Sequence, residues 1–262
     1  MALLFQLDGH VATITINRPE AMNAIDRQTA EELAEAWERV RTDADIWVAI
    51  LTGAGDRAFC AGADTKSPLD PSQLEEVPGG VKTRITFDLK GLNVWKPIIA
   101  AVNGFALGGG FEIVLACDII IASEKATFGL PEPRVGLMAA AGGVHRLPRR
   151  IPYHIAMGYM LTGRHMSARR AYELGLVNDV VPYDKLDETV QGYVKDILAC
   201  APLSVRATKE MVMRGLDYPL HEAFDREYQW EKRRQSSPDA IEGPRAFAEK
   251  RKPNWTGEFV ED

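Results

Sequence analysis

The chain is poor in the residues that disulfide frameworks and metal sites require. Its 262 residues include only three cysteines and five histidines. Cys60, Cys117 and Cys200 are odd in number and far apart, which favours free thiols in a reducing compartment. The histidines form no i, i+4 pair accompanied by a carboxylate, the helical pattern of many zinc sites. The sequence therefore predicts neither a disulfide scaffold nor a metal centre.

Long apolar runs and a basic leader are also missing. The first six residues, MALLFQ, carry no basic side chain, so we expect no signal peptide, no membrane span and a cytoplasmic location. The formal net charge of −6 argues against a broad nucleic-acid-binding surface. A serine hydrolase is disfavoured because the sequence contains no G-x-S-x-G motif.

What remains is the composition of an ordinary globular protein, with 46% hydrophobic and 26% charged residues. The length suits one large domain or two small ones. Alternating β-branched residues at 11–16 predict a strand, and residues 47–52 predict a second, buried one. Between them a helix is predicted from Thr29, because apolar residues recur on one face. These residues are Ala30, Leu33, Ala34, Trp37 and Val40.

The most informative stretch lies between Pro97 and Glu132. Residues 98–102 are a short apolar run, which is typical of a strand buried on both faces. Gly108, Gly109 and Gly110 follow, and they let the backbone turn sharply without a Cβ to block a ligand. A helix is then predicted over 111–117. Unpaired amides at its start could hold an anion or a carbonyl oxygen that is gaining negative charge.

Two glutamates accompany these amides. Glu112 stands in the first turn of the predicted helix, and Glu132 comes twenty residues later, after a predicted strand over 118–122. We therefore expect two carboxylates and a backbone oxyanion site in one crevice. The alternative is a plain tight turn followed by an acidic residue that complements the helix dipole. A dinucleotide-binding G-x-G-x-x-G motif is excluded, because Ile113 occupies the position of its last glycine.

The segment AAVNGFALGGGFE, residues 100–112, resembles the signature of the enoyl-CoA hydratase/isomerase family, the crotonases. Other segments match in the family's order and together span nearly the whole chain. They are NRPEAMNA (17–24), FCAGAD (59–64), FGLPE (128–132), LTGR (161–164) and the stretch 242–251.

The resemblance implies an α/β fold, the crotonase-like (ClpP/crotonase) spiral of ββα units with a C-terminal helical trimerisation region. Residues 1–200 would form the core that carries the CoA-binding and catalytic site. Residues 201–262 would form the helical region that covers the active site and builds a homotrimer or a dimer of trimers. Helices are predicted near 185–200, at the end of the core, and over 204–215, in the helical region.

The resemblance also implies a mechanism. Glu112 would activate water and Glu132 would transfer a proton at Cα, while the amides of Ala63 and Gly109 would form the oxyanion hole around the thioester oxygen. Coenzyme A would enter as part of the acyl-CoA substrate, so no separate cofactor and no metal are expected. The implied CoA-binding residues are Met22, Ala24, Ala61, Asp64, Lys66, Phe247 and Lys250. In the family the last two positions reach the adenine end of CoA, often from a neighbouring subunit.

Other positions keep more than one interpretation. Lys66 would be a cation near the CoA phosphates or an ordinary surface lysine. Arg134 would bind a polar acyl group, face solvent or pair at a subunit interface, and His145 would be a base or, as we favour, a structural residue at a helix end. The segment 68–80, rich in proline and glycine, would line or cover the acyl pocket, and a helix is predicted over 81–95.

Because both glutamates are present, the sequence favours hydration of a trans-2-enoyl-CoA to the 3-hydroxyacyl-CoA, or the reverse dehydration. The alternatives within the family are a double-bond isomerase, a carnitinyl-CoA-type dehydratase, or a hydratase or hydrolase specialised for an unusual acyl group. The residues from Pro133 to Ala141 depart from the commonest hydratase pattern and favour a specialised substrate. A non-catalytic binding relative would be expected to carry a basic surface and to lack one glutamate.

Overall fold

A computed structural model of the protein describes residues 1–64, 75–77, 81–83, 89 and 93–259. Within them the chain forms a mixed α/β fold, as predicted. The strands are β1 (Leu3–Asp8), β2 (Val11–Ile16), β3 (Val48–Gly53), β4 (Ala58–Cys60), β5 (Glu75–Val77), β6 (Val81–Thr83), β7 (Ile98–Val102), β8 (Phe105–Leu107), β9 (Ile119–Ser123), β10 (Thr127–Gly129), β11 (His165–Ser167) and β12 (Asp179–Val181). The helices are α1 (Arg27–Thr42), α2 (Gly109–Val114), α3 (Gly143–Arg150), α4 (Tyr153–Thr162), α5 (Ala168–Glu173), α6 (Leu186–Leu198), α7 (Pro202–Gly215), α8 (Leu220–Asp225), α9 (Gln229–Gln235) and α10 (Asp239–Ala248).

Two sheets position the site. The larger has the order β1-β2-β3-β7-β9-β12, in which β1 and β2 are antiparallel and the other pairs are parallel. The smaller has the order β11-β10-β8-β4, with only the β10–β11 pair antiparallel. Strands β7 and β8 follow one another in the chain but belong to different sheets, so the chain changes sheets just before the three glycines.

Strand β7 shows why its sequence is apolar throughout. All five residues are buried, and alternate side chains enter different cores. Ile98, Ala100 and Val102 belong to the larger hydrophobic cluster, whereas Ile99 and Ala101 pack in a second cluster with residues of α6. Because both faces are covered, no polar position interrupts the run.

Helix α1 confirms the prediction made from its apolar face, although it starts two residues earlier than predicted. Asp26 is its N-cap, and its carboxylate accepts a 2.8 Å hydrogen bond from the amide of Thr29. Leu33, Trp37 and Val40 are fully buried, whereas Ala34 is only half-buried.

Two predicted helices differ from the structure. The prediction over 81–95 is wrong at its start, where β-branched Val81 and Thr83 lie in β6 and pair with β5. Leu89 has a φ of 60°, outside the right-handed helical region. Most of this prediction, and most of the segment 68–80, lies outside the described residues.

Helix α2 is shorter than predicted and begins at Gly109 rather than Phe111. Tight turns close it, because the amides of Ala116 and Cys117 bond to the carbonyls of Ile113 and Val114, three residues back. The C-terminal helices agree better, since α6 and α7 cover the two predicted helices. The domain boundary after residue 200 stays a prediction. None of the described helices is both long enough and apolar enough to cross a bilayer.

Candidate active site

The site begins where the loop after β4 lies against the loop after β8. Gly62 has a φ of 94°, and a Cβ added to it would lie 2.8 Å from the Leu107 carbonyl oxygen and 3.3 Å from the Gly109 nitrogen. A side chain at position 62 would therefore separate the two loops. Because Gly62 has no side chain, the backbone of Ala63 can lie close to the start of α2.

Ala63 and Gly109 present the two amides predicted for the oxyanion hole. Gly109 is the first residue of α2, where no carbonyl of the same helix is available to its amide. The amides of Ile25 and Asp64 form hydrogen bonds of 2.8 and 2.9 Å across the neighbouring bridge, but the Ala63 amide donates to no residue that the structure describes. The two loops thus provide backbone donors without any titrating group.

Cys60 supports both loops, a role that sequence analysis did not detect. Its Sγ accepts a hydrogen bond from the Gly62 amide at 3.4 Å. Its backbone also lies so close to α2 that a Cβ on Gly110 would come within 2.2 Å of the Cys60 carbonyl oxygen. Burial raises the pKa of the Cys60 thiol to about 12, so the group stays neutral and unreactive at physiological pH.

Glu112 lies in the first turn of α2 and is only 3% exposed. Its Oε1 accepts a 2.8 Å hydrogen bond from the amide of Gly143, the first residue of α3. That helix has Gly142 at its N-cap, with no side-chain cap of its own. The Glu112 carboxylate therefore occupies the position of a capping group, where the helix dipole favours negative charge.

Glu132 meets a different environment at the start of a 3-10 helix, Glu132–Val135. Its Oε1 lies beside Gly108, because a Cβ on that glycine would be 3.1 Å away. Its Oε2 is buried and has no hydrogen-bond partner among the described residues. Burial raises the pKa of the Glu132 carboxyl above its ordinary value. Glu112 has a backbone amide donor and Glu132 has a desolvated oxygen, an arrangement that favours unequal proton affinities.

Four of the predicted CoA-binding residues lie together. The Ala61 amide bonds to the Met22 carbonyl at 3.0 Å. Arg18 joins the other two, since its Nη1 donates to the Ala24 carbonyl at 2.5 Å and its Nη2 lies 3.1 Å from Asp64 Oδ2. Arg18 was not predicted as a site residue, although it lies in the NRPEAMNA motif.

Comparisons with known proteins identify the family. The sequence profile described as enoyl-CoA hydratase/isomerase matches residues 6–258. The chain belongs to the enoyl-CoA hydratase/isomerase family.

Similar members of the family include CoA-thioester hydratases and dehydratases. An (E)-benzylidenesuccinyl-CoA hydratase from Thauera aromatica is 44% identical, covering 98% of this chain and all of that protein. A carnitinyl-CoA dehydratase from Proteus mirabilis is 41% identical, covering 95% of this chain and 96% of that one. The crystal structure of an enoyl-CoA hydratase from Bacillus anthracis is 36% identical with a TM-score of 0.88, covering 98% of this chain and all of that chain. The predicted crotonase-like fold is thereby confirmed.

Two further predicted CoA contacts of this enoyl-CoA hydratase/isomerase family member, Phe247 and Lys250, lie near the end of α10 and just after it. Phe247 is 87% exposed near the end of α10, so its side chain does not pack into a site of its own chain. Lys250 follows with a φ of 53°. Both stay predictions that involve a neighbouring subunit, and Lys66 lies outside the described residues.

Arg134 and His145 have exposed side chains. Arg134 Nε donates a 3.0 Å hydrogen bond to the carbonyl of Thr162 and so joins the 3-10 helix of Glu132 to the end of α4. His145 lies in the first turn of α3, where its amide bonds to the Gly142 carbonyl at 3.1 Å. The side-chain contact favours a structural role for Arg134 in this family member, whereas the structural role of His145 stays a prediction.

Proposed function

We propose that the protein reversibly hydrates a trans-2-enoyl-CoA to the 3-hydroxyacyl-CoA. The observation that carries this proposal is a pair of glutamates in contrasting environments. The Glu112 carboxylate accepts a hydrogen bond from the Gly143 amide, whereas Glu132 lies beside Gly108 and has a buried oxygen without a partner among the described residues. Membership of the enoyl-CoA hydratase/isomerase family supports the substrate class. The names of its relatives, a hydratase and a dehydratase acting on CoA thioesters, support the reaction class.

Activation of the thioester is the first requirement of this chemistry. Water attacks Cβ only if the negative charge that moves onto the thioester oxygen is stabilised. In the proposed mechanism the amides of Ala63 and Gly109 donate hydrogen bonds to that oxygen. A preorganised donor of this kind contributes about 3–4 kcal/mol to transition-state stabilisation.

Proton transfer is the second requirement. Glu112 accepts a proton from water while the water oxygen bonds to Cβ, and the protonated Glu132 delivers a proton to Cα. The raised pKa of Glu132 helps to keep it protonated for this step. The product gains one water molecule in total, and the two carboxyl groups exchange protonation states before the next turnover.

A specialised acyl group is the second candidate. The relative from Thauera aromatica takes its name from an acyl group that carries an aromatic ring and a second carboxyl. In this chain, Val135, Leu137 and Met138 follow Glu132 closely and are exposed apolar residues. In this proposal these side chains contact the acyl group, which would suit an aromatic or branched acyl group better than a short linear one.

The test is the loss of absorbance at the conjugated enoyl-thioester band. Crotonyl-CoA would be compared with longer, branched, aromatic and dicarboxylic enoyl-CoAs and with crotonobetainyl-CoA. We expect Glu112→Gln and Glu132→Gln to lower kcat by at least about 100-fold, the usual contribution of a general acid or base. Gln at position 112 keeps an oxygen that can accept the Gly143 hydrogen bond.

Glu124→Gln is the matched control, because Glu124 is exposed after β9. Full activity of both site variants would contradict the two-glutamate mechanism. No turnover on any enoyl-CoA would favour an isomerase or a non-catalytic binding protein. An isomerase would convert a 3-enoyl-CoA, which the same assay detects as a gain in absorbance.

The proposal includes assembly as a homotrimer or a dimer of trimers. Leu216, Leu220 and Phe224 are 74%, 71% and 78% exposed in the isolated chain, which supports burial of this region between subunits. Light scattering should give three or six times the chain mass of 29.0 kDa, and Phe224→Glu should lower that mass. A wild-type mass of 29.0 kDa would contradict the proposed assembly.

The cytoplasmic location stays a prediction.

A further inference from the structure

Arg146 folds back over the start of its own helix. Its amide closes the first turn of α3 through a 2.8 Å hydrogen bond to the Gly142 carbonyl. Its Nη1 donates to the Ala141 carbonyl at 3.1 Å and to the Glu112 carbonyl at 3.3 Å. One guanidinium nitrogen therefore joins the turn before α3 to the first turn of α2.

Gly142 makes room for this arrangement. It has a φ of 112°, and a Cβ added to it would lie 2.6 Å from Arg146 Nη1 and 3.0 Å from Cζ. The guanidinium occupies the space that a side chain at position 142 would need. The glycine serves the placement of Arg146 as well as the turn itself.

Glu112 is thus held to the start of α3 at two points. Its carboxylate accepts from the Gly143 amide, and its main-chain carbonyl accepts from Arg146. A single hydrogen bond allows the carboxylate to pivot about it, whereas a second contact on the backbone fixes the distance and direction between the two helices. A carboxylate that must hold one water molecule against Cβ depends on such fixed geometry.

We propose that Arg146 is a positioning residue that sets the geometry between Glu112 and the Gly143 amide. The inference rests on the proposed role of Glu112 in activating water. In the proposed mechanism Arg146 contacts neither the substrate nor the attacking water. It acts by joining two backbone carbonyls from different elements, which suits a planar guanidinium better than the compact ammonium of lysine.

The kinetic test compares Arg146→Gln and Arg146→Lys with Arg149→Gln. Arg149 lies one turn further along α3, is exposed and donates to the carbonyl of His145 in its own helix. We expect Arg146→Gln to lower kcat for the best enoyl-CoA by about 10- to 100-fold, since small misplacements of reacting groups have effects of this size. KM should change less than about twofold. Arg146→Lys should recover part of the loss, and Arg149→Gln should retain wild-type kcat.

A second measurement does not depend on turnover. Hydrogen exchange, followed by mass spectrometry on peptides containing Gly143, reports whether the bond to Glu112 opens more often. We expect exchange there to be at least about tenfold faster in Arg146→Gln and unchanged in Arg149→Gln. If Arg146→Gln does not fold, Arg146→Lys provides both readouts with a smaller expected effect.

The outcomes separate the two proposals. Failure of the wild type to hydrate any enoyl-CoA would overturn the proposed function, while exchange at Gly143 would still decide whether Arg146 fixes the Glu112 contact. Wild-type kcat in Arg146→Gln would overturn the inference. A lower kcat with unchanged exchange would also overturn it, because the loss would then have another cause.

Discussion

At the scale of single residues, the site places Glu132 where ionisation is opposed. One carboxylate oxygen is buried without a hydrogen-bond donor from the described residues, and burial raises the pKa of the group. A carboxyl in such a position destabilises the folded protein when it is charged. The proposed catalysis requires an ionisable carboxyl at this position, whereas the stability of the fold favours a side chain that stays neutral. Such conflicts are common at functional sites.

The expected consequence is a pH-dependent stability difference for Glu132→Gln. The folded pKa exceeds the unfolded value, so the folded protein binds more protons between the two values, and stability falls as the pH rises through that window. At pH 7 the variant should melt on the order of 2 °C above the wild type. Below pH 4 the difference should vanish, because both side chains are then neutral.

Thermal unfolding at several pH values measures this, with Glu124→Gln as the control that should not change. A constant difference between Glu132→Gln and the wild type across the pH range would show that packing, rather than charge, separates them.

The residues of the site differ in how visible they are in the sequence. Glu112 adjoins the three glycines, so one motif predicts both the carboxylate and the amides. The contacts around the site join residues that are far apart in the sequence. Gly143 and Arg146 lie 31 and 34 residues from Glu112, and Arg18 lies 46 residues from Asp64. Such pairs have no shared periodicity, and only the folded chain brings them together.

At the scale of elements, Asn103 connects the strands that lead into the site. It is buried between β7 and β8, and its Nδ2 donates to the carbonyls of Gly53, Gly55 and Ala58 at 2.9, 2.7 and 3.1 Å. Its Oδ1 also accepts from the Gly53 amide at 3.3 Å. The end of β3 and the start of β4 are therefore held against the end of β7.

Asn103→Leu should destabilise the protein by about 2–4 kcal/mol. The substitution removes the side-chain partner of the buried Gly53 amide and carbonyl, and each unsatisfied buried group costs about 1–3 kcal/mol. Urea unfolding monitored by circular dichroism measures the loss. Asn254→Leu, at an exposed position near the C-terminus, should change the free energy of unfolding by less than about 0.5 kcal/mol. Equal stability of both variants would contradict the role of Asn103.

Sequence patterns predicted elements best where burial is uniform. Residues 98–102 are apolar because both faces of β7 are covered, and the strand was predicted with its observed bounds. The helix predicted from 81 rested on a partial apolar stripe, which pairing with β5 overrides at its start. The short strands β8, β10 and β11 depend on partners elsewhere in the chain, so three residues carry too little pattern to reveal them.

At the scale of the whole molecule, two cations of α7 bind the segments that precede β3, β7 and β9. Arg206 Nη2 donates to the Ile46 carbonyl at 3.4 Å. Lys209 Nζ donates to the Lys96 carbonyl at 2.9 Å and to Asp118 at 2.7 Å. Lys96 is itself buried and donates to the Asp43 carbonyl. Burial, and then the charge of Arg206, lowers the pKa of Lys96 to about 7, against the opposing charges of Asp43 and Asp45.

Lys96→Met should therefore change how stability depends on pH. The folded pKa lies below the unfolded value of 10.5, so the unfolded chain binds more protons between pH 7 and 10.5, and wild-type stability rises with pH across that window. Met keeps the apolar stem without the charge. The urea midpoint of the variant, relative to wild type, should be higher at pH 6.5 than at pH 9.5.

Lys195→Met, at an exposed position on α6, should show no such trend. The same midpoint difference at both pH values would contradict the lowered pKa, because it would show that Lys96 binds its proton equally in the folded and unfolded protein.

The donors proposed for the thioester oxygen belong to the main chain at Ala63 and Gly109. Every amino acid except proline supplies the same N–H group, so mutations that preserve the backbone of these two loops leave the proposed donors in place. The side chains proposed to contact the acyl group, Val135, Leu137 and Met138, can change without altering these main-chain donors. The proposed chemistry and the acyl preference of this protein can therefore change independently of each other.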